Sequence, residues 1–517
     1  MKPFVTLLFA AFLLAGCSSS SPGGGADAFY RASLGMLDDV RASLPDIQAT
    51  ASEAAAFYCN DPSDPGLTIE GSEWLRSELD HRSGGIMAIV AWWPRETFHG
   101  IVLYCLRGDR QLDEDLKTIA FYNGRNCPVY LIGTTERLEQ ARRGGAKSAG
   151  TIVVPSRTVE GVSTCDLATV VVSWTWISEF VAACTRQGKM PVMFQSIKFV
   201  PSGQERITKH TLEPAMPQRR YTKFHDDLAV HPVPAGQLGG EWLTMARKRL
   251  TALHDREWAH IRQAAQWAVE AKTSGGTAYF WSTTHTLGRI GHSEHNPTNF
   301  TPLPAMPPKA GTSPFDSKGL TPRDFVLGIG YDAIVANEPE KLAWIRSSGS
   351  KLALSAANYK PENNVTISGE IFITQPWEFG DADVVVPGYD INIAPTSGLM
   401  AAEIYLLICA EINAIETANK TAATRAADKA ARKATKDEAA AKKAAMKAET
   451  KAAKQLAKDE AAAQKAADKA EKKAAKERER ELAKLHGRRK RDYIIPVMLI
   501  TVKAAAIATA IVLHCVK

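Results

Sequence analysis

Between residues 26 and 415 the chain alternates short apolar runs with longer stretches whose apolar residues recur every three or four positions. The short runs include Ile86–Val90, Ile101–Tyr104, Pro128–Ile132 and Thr151–Val154, and then Thr277–Trp281, Phe325–Ile329, Lys351–Leu354 and Asp383–Val386. Between and after them lie helix-like stretches at Glu114–Tyr122, Leu167–Cys184, Glu241–Lys272, Pro339–Ser347 and Leu399–Ile415. Strand and helix patterns in alternation predict an α/β fold with mostly parallel sheets. The order also repeats. Ser83-Gly84-Gly85 leads into the first run and Ser274-Gly275-Gly276 into the fifth, each after a helix-like run holding a Trp (Trp74, Trp267). Two similar units are therefore expected, 29–224 and 241–415, joined by a crossover at 225–240, with an insertion near Pro302–Lys318.

The two ends follow other rules. From about Ala414 to Arg491 the residues are nearly all Ala, Lys, Glu, Asp and Arg, without proline. These are strong helix formers. Large apolar residues (Met446, Leu456, Leu482, Leu485) are too sparse for a heptad seam. The pattern predicts one solvated helix over 416–491, on the order of 110 Å long at about 1.5 Å per residue. Its composition resembles the spacer helices of envelope-spanning proteins. Tyr493–Val516 then carries Lys503 as its only Lys, Arg, Asp or Glu and has the length of a membrane helix. At the other end, Met1-Lys2, an apolar run from Phe4 to Leu14 and Leu14-Ala15-Gly16-Cys17 read as a signal peptide over 1–17. Its ending matches the bacterial lipobox, which makes Cys17 the lipidated residue, and 18–28 the flexible tether. These ends predict a membrane-anchored protein of the cell envelope with membrane lipid as a partner. The basic cluster Arg488–Arg491 favours the cytoplasmic side and so opposes this reading. The acids of the helix and its length soften that rule, and the exported reading is kept.

Charge narrows the partners. The formal net charge is +7, but 24 Lys/Arg face 13 Asp/Glu between Glu416 and Asp492, so the rest of the chain is mildly acidic. That argues against nucleic acid as a ligand of the folded part. The eight cysteines are scattered and form no CxxC, which disfavours both a zinc site and a disulfide scaffold. Gly144–Ser148 lacks the glycines of a phosphate-binding P-loop, and Gly328-Ile329-Gly330 lacks the third glycine of a dinucleotide fingerprint. No metal and no cofactor is expected.

In residues 240–415 a helix, a strand, the hydroxyl-rich loop Ser282-Thr283-Thr284-His285 and then further strands and helices succeed one another. This order resembles the sugar isomerase (SIS) phosphosugar-binding domain. The resemblance implies three-layer αβα units, a sugar phosphate as ligand and a homo-oligomer. It also implies that Ser282, Thr283 and Thr284 bind phosphate with a helix N-terminus, where hydroxyls and unpaired N–H groups are natural ligands. Thr396 and Ser397, just before a helix, are either further ligands or plain N-caps. The family's second loop, Ser-x-Ser-Gly-x-Thr, is replaced here by Gly328–Ala333. In the first unit the loops Trp92–Thr97 and Arg107–Arg110 depart further, so that unit reads as a degenerate scaffold in which Arg95 or Arg107 offers a guanidinium. For acid/base work the candidates are His285, Glu294 and Glu403, with His292 and His295 beside them; the exposed-loop role is the plain alternative for the His285–His295 group. The expected function is a membrane-attached carbohydrate-derivative (sugar phosphate) binding protein. An aldose–ketose isomerase and an inert envelope-spanning structural lipoprotein are the alternatives.

Overall fold

The computed structural model describes residues 24–488 apart from 62–65, 90–97, 109–110, 198–199, 201, 214–219, 285–298, 305–318, 332–337, 359–364 and 379. The chain divides into two compact units, Met1–Thr421 and Ala422–Lys517. The lipobox with Cys17, most of the tether and the apolar Tyr493–Val516 lie outside the described residues.

The first unit opens with α1 (Gly25–Ala42) and α2 (Leu44–Asn60), then β1 (Gly66–Gly71), α3 (Glu73–Leu79) and β2 (Gly100–Cys105). Next come α4 (Leu112–Gly124), β3 (Val129–Gly133), α5 (Thr135–Arg143), β4 (Gly150–Val153) and a small hairpin, β5 (Thr158–Val159) and β6 (Val162–Ser163). The half closes with α6 (Cys165–Arg186). A connecting region holds α7 (Ser202–His210), β7 (Thr211–Glu213) and β8 (Arg220–Tyr221). The second half runs α8 (Gln237–Thr273), β9 (Ala278–Ser282), β10 (Thr301–Pro302), β11 (Phe325–Ile329), α9 (Pro339–Ser347), β12 (Lys351–Ala356) and β13 (Glu370–Thr374). A second hairpin, β14 (Ala382–Val384) with β15 (Ile393–Pro395), precedes α10 (Ser397–Arg488).

Both main sheets are parallel. One is ordered β1-β2-β3-β4, and Ile89 bridges Leu67 in parallel on the free side of β1. The other is ordered β10-β9-β11-β12-β13. Counted along each half, both read second, first, third, fourth, fifth.

Successive side chains of a strand point to opposite faces. In β2, Ile101, Leu103 and Cys105 enter the main core, while Val102 and Tyr104 join Ile119, Tyr122, Leu131 and Leu138 under α4 and α5. In β11, Phe325, Leu327 and Ile329 face that same main core, while Val326 packs with Leu342 and Ile345 of α9. One core is thus shared. It lies between the two sheets and is filled by α1, α2, α6, α8 and the apolar start of α10. Every residue of α6 but Arg186 is buried, as a helix apolar all round must be. Several of its hydroxyls are satisfied within the helix, Thr175 to the Val171 carbonyl at 2.7 Å and Ser178 to Trp174 at 2.8 Å, while Ser173 Oγ is buried without a partner. Among the described residues, α6 and the apolar start of α10 are long and apolar enough to cross a membrane, and both are packed inside this core.

The expected pairing of elements shifts in two places. Ile86–Ile89 forms only isolated bridges, and the counterpart of β9 is β1, not the Ile86 run. Thr68 and Glu70 had disguised β1 as a polar stretch; both are buried, and Glu70 accepts a 2.8 Å bond from Tyr122 Oη and a 3.2 Å bond from Arg76. The counterpart of β4 is β13, while Asp383 lies in a hairpin placed like β5–β6. The apolar Leu399–Ile415 and the charged stretch after it form one continuous helix.

Candidate functional site

In an open sheet of order 2-1-3-4-5 the connections leave in opposite directions from the first and third strands, and a crevice opens at their carboxyl ends. In the second half this switch point lies between Ser282 at the end of β9 and Ile329 at the end of β11, which are register partners. The Thr283 amide donates to the Ile329 carbonyl at 3.0 Å. Ser282 Oγ accepts from the Thr284 amide at 3.1 Å and lies 3.0 Å from Thr284 Oγ1. The three predicted hydroxyls therefore sit on one tight turn at this edge, Thr283 exposed and Ser282 and Thr284 half-buried. Across it, the Gly330 amide donates to the Ser355 carbonyl, and Gln375 Nε2 donates to the Gly330 carbonyl at 2.9 Å. Trp377 donates to Gln375 Oε1 at 2.8 Å and stacks at a tilt on Tyr331, ring centres 4.5 Å apart. This polar bracket on the third to fifth strands occupies the position of Gly328–Ala333, where the resemblance implies a hydroxyl loop.

Thr396 and Ser397 are brought to the N-terminus of α10, but their hydroxyls are committed. Thr396 Oγ1 donates to Asp383, which also accepts from Arg249 at 2.6 Å. Ser397 Oγ donates to Asp381 Oδ2 at 2.8 Å, and the Ser397 amide donates to Asp381 Oδ1 at 3.1 Å. Arg82 reaches this point from just beyond α3, donating to Ser397 Oγ at 2.7 Å and to Asp381 at 3.2 Å. Glu78 lies 3.7 Å from the same guanidinium and accepts from Trp174 Nε1 at 3.0 Å. A Cβ at Gly398 would collide with the Glu78 carboxylate, so glycine admits that anion to the helix end. Backbone N–H groups and the helix dipole favour negative charge here. Two carboxylates of the protein already supply it. Burial pushes the Asp381 carboxyl up to about 6 against the pull of Arg82 and the hydroxyls of Tyr331 and Ser397. Glu78 and Arg82 stand four residues apart, but Asp381 is 299 residues from Arg82 and joins them only through the tertiary fold, so nothing in the sequence pattern marked the group.

Glu403 lies in the main core. Ser33 Oγ of α1 donates to its Oε2 at 2.9 Å, its Oε1 has no partner, and burial pushes its carboxyl up to about 8. It is not among the groups at the sheet edge. His285, His292, Glu294 and His295 fall outside the described residues, as does Arg95; Arg107 is bound to Asp115 at 2.6 Å.

A separate polar cavity of ≈ 420 Å³ is lined by Arg206, Lys209, His210, His225, Asp227 and Asp390, among others. Tyr389 Oη holds it to the core. It accepts from the Met193 amide and from Arg206, each at 3.1 Å, and lies 3.1 Å from His225 Nε2. With both lone pairs taken, the phenol must donate its proton to His225, which fixes the imidazole with hydrogen on Nδ1, 3.6 Å from Asp227. Burial and then Arg206 lower the pKa of His225; burial and then His225 lower that of His210.

No family model matches the chain, and no curated protein matches it. Among solved structures it is similar to the C-terminal domain of glucosamine-fructose-6-phosphate aminotransferase from Francisella tularensis. The identity is 8%, the TM-score 0.38, and 73% of this chain and 94% of that one are covered. It is also similar to a candidate sugar-binding protein from Salmonella typhimurium LT2, at 8% identity and TM-score 0.38 over 75% of this chain and 99% of that one. A candidate phosphosugar isomerase from Silicibacter pomeroyi DSS-3 gives 12% identity and TM-score 0.36 over 75% and 98%.

Proposed function

We propose that the protein is a membrane-attached binding protein for a phosphorylated sugar, which it holds at the carboxyl edge of the second sheet. The observation that carries this reading is the turn Ser282-Thr283-Thr284 at the switch point of a 2-1-3-4-5 sheet, where such folds bind ligands. Three adjacent hydroxyls on a fixed turn suit the oxygens of a phosphate, and the part-exposed ring of Tyr331, backed by the buried Trp377 and Gln375, offers an aromatic face to a sugar ring. Attachment to a membrane rests on the lipobox at Cys17 and on Tyr493–Val516. Binding is favoured over isomerisation because Glu403, the candidate base with described surroundings, is enclosed in the core beside Ser33. The two halves descend, on this reading, from one duplicated unit of which the second kept its ligand.

The test is thermal stabilisation of the whole chain, in detergent, by a panel of sugar phosphates and their unphosphorylated parents. A true ligand at a hundredfold excess over its Kd stabilises by about 2.7 kcal/mol. Stabilisation by phosphorylated members alone, abolished by Ser282→Ala/Thr284→Ala, is the expected result. A panel without effect, or a shift that survives the double substitution, removes the site.

A further inference from the structure

The helix beyond Thr421 carries a pattern that composition alone hides. Arg425, Lys436, Lys447, Lys458, Lys469 and Arg480 recur every 11 residues, and so do Arg432, Lys443, Lys454, Lys465 and Lys476. An 11-residue step returns a side chain to the same face, because about 3.67 residues per turn is close to the helical repeat. The two series lie seven residues apart, roughly 30° from one another around the axis, and Lys429, Lys451, Lys473 and Lys484 flank them on the other side. They make one basic stripe, on the order of 90 Å long at about 1.5 Å per residue, which drifts around the axis by about 20° per repeat at about 3.6 residues per turn and runs straight at about 3.67. Four of the eleven acids between Arg425 and Lys484 repeat in the same period. Glu438, Glu449, Glu460 and Glu471 come two residues after Lys436 and its equivalents, which puts them at roughly 200°, on the opposite face. Lys442, which lies off the stripe, is paired with Glu438 at 2.8 Å. Every side chain described from Ala422 to Lys484 is exposed.

A helix that only needed to stay soluble would scatter its charges around all faces. Segregation over this length suits a straight or flat anionic partner. A second copy of the helix fits less well, since 19 Lys/Arg face 11 Asp/Glu between Arg425 and Lys484 and pairing would leave a large positive excess. The residues after the stripe decide the occupant: Arg488–Arg491 and then Tyr493–Val516, which is apolar and long enough to enter a bilayer. We infer that the stripe lies along an anionic lipid surface, with the glutamate column turned to water. Only the choice of lipid as occupant rests on the membrane attachment proposed above.

The full chain is mixed with vesicles of phosphatidylcholine alone or of phosphatidylcholine with phosphatidylglycerol. Flotation reports attachment, and the rate of tryptic cleavage between Arg425 and Lys484 reports docking of the stripe. At low ionic strength cleavage should slow at least about tenfold on anionic vesicles relative to neutral ones, and recover in high salt. Two alanines inserted after Ala440 rotate the distal half by roughly 200° at unchanged charge. Protection should then be confined to one side of the insertion. Equal rates on both vesicles overturn the inference, as does protection indifferent to the insertion. Protection that rises with protein concentration on neutral vesicles would assign the stripe to a second copy instead. Failure to float with neutral vesicles would count against attachment alone, while the cleavage comparison still decides the stripe.

Discussion

The two sheets have the same strand order and the same amide-to-carbonyl bond at their switch points, yet different chemistry. The Ser72 amide donates to the Cys105 carbonyl at 3.1 Å as the Thr283 amide does to Ile329. Register pairing makes Gly71, Ser72 and Glu73 the counterparts of Ser282, Thr283 and Thr284. In the first half Gly71 has positive φ and a Cβ there would overlap the Cys105 carbonyl oxygen. Glu73 puts a carboxylate where Thr284 has a hydroxyl, and the polar groups below are consumed internally. Asp115 accepts from Tyr104 at 2.9 Å and from the Arg107 amide at 2.8 Å, and Glu70 from Tyr122 and Arg76. Among the described residues the first edge pairs its carboxylates with its own donors, and the second is hydroxyl-rich. One backbone frame thus serves as scaffold in one half and as candidate receptor in the other, and a few side chains make the difference.

What the halves share is how they hold each other. Glu179 of α6 and Glu411 of α10 are each the fifteenth residue of their helix. Glu179 accepts from the Gly236 and Gly239 amides at 2.8 Å, at the start of α8, and Glu411 accepts from the Ala26 amide at 2.9 Å, at the start of α1. Each half's last helix caps the first helix of the other. The largest effect is expected where this exchange is asymmetric, at Arg82. Arg82→Met should destabilise by about 3–5 kcal/mol, because it leaves Glu78 and Asp381 buried together without their cation. In denaturant titrations the loss should shrink on acidification as Asp381 takes up a proton, and Asp381→Asn should restore part of it. Next, Glu179→Ala and Glu411→Ala should each cost about 1.5–3 kcal/mol, the range for a bond to a charged acceptor, and match one another closely. A large cost for one and none for the other would break the equivalence of the halves.

The sequence carried the α/β class, the positions of β2, β3, β11 and β12, and the extents of α6 and α8, because those runs are apolar with clear period. It also placed the hydroxyl turn, since Ser282–Thr284 comes directly after an apolar strand. β1 escaped because Thr68 and Glu70 interrupt it, and a buried carboxylate bonded by Tyr122 and Arg76 looks from sequence like a surface one. The shared core was equally hidden: an apolar stripe says that a face is buried, not against which half. Thr396 and Ser397 were rightly placed before a helix, but their competitors for the helix end, Asp381 and Glu78, come from a neighbouring hairpin and from the other half. Charge networks of this kind depend on distance in space, and residue spacing does not report it.

The smallest effect concerns the seventh residue of the same two helices, Val171 in α6 and Glu403 in α10. The halves pack alike here, but one buries a methyl pair and the other a carboxyl pushed up to about 8. A carboxyl whose folded pKa is raised holds its proton more tightly in the native state than in the unfolded one. Its contribution to stability is therefore whole below about pH 4.3, the unfolded value, and is lost as pH rises through about 8. Glu403→Gln keeps the shape and the contact with Ser33 but cannot ionise. The substituted protein should show a flatter fall in stability between about pH 5 and 8 and exceed the parent by about 1–2 kcal/mol at the upper end. The gain is held below what the shift alone implies because Gln leaves a polar atom in the place of the unpartnered Oε1. Val171→Glu, the reverse change, should import the same slope into the first half. Identical pH profiles for the parent and Glu403→Gln would mean that water reaches this part of the core, and that the halves differ there in packing as well as in charge.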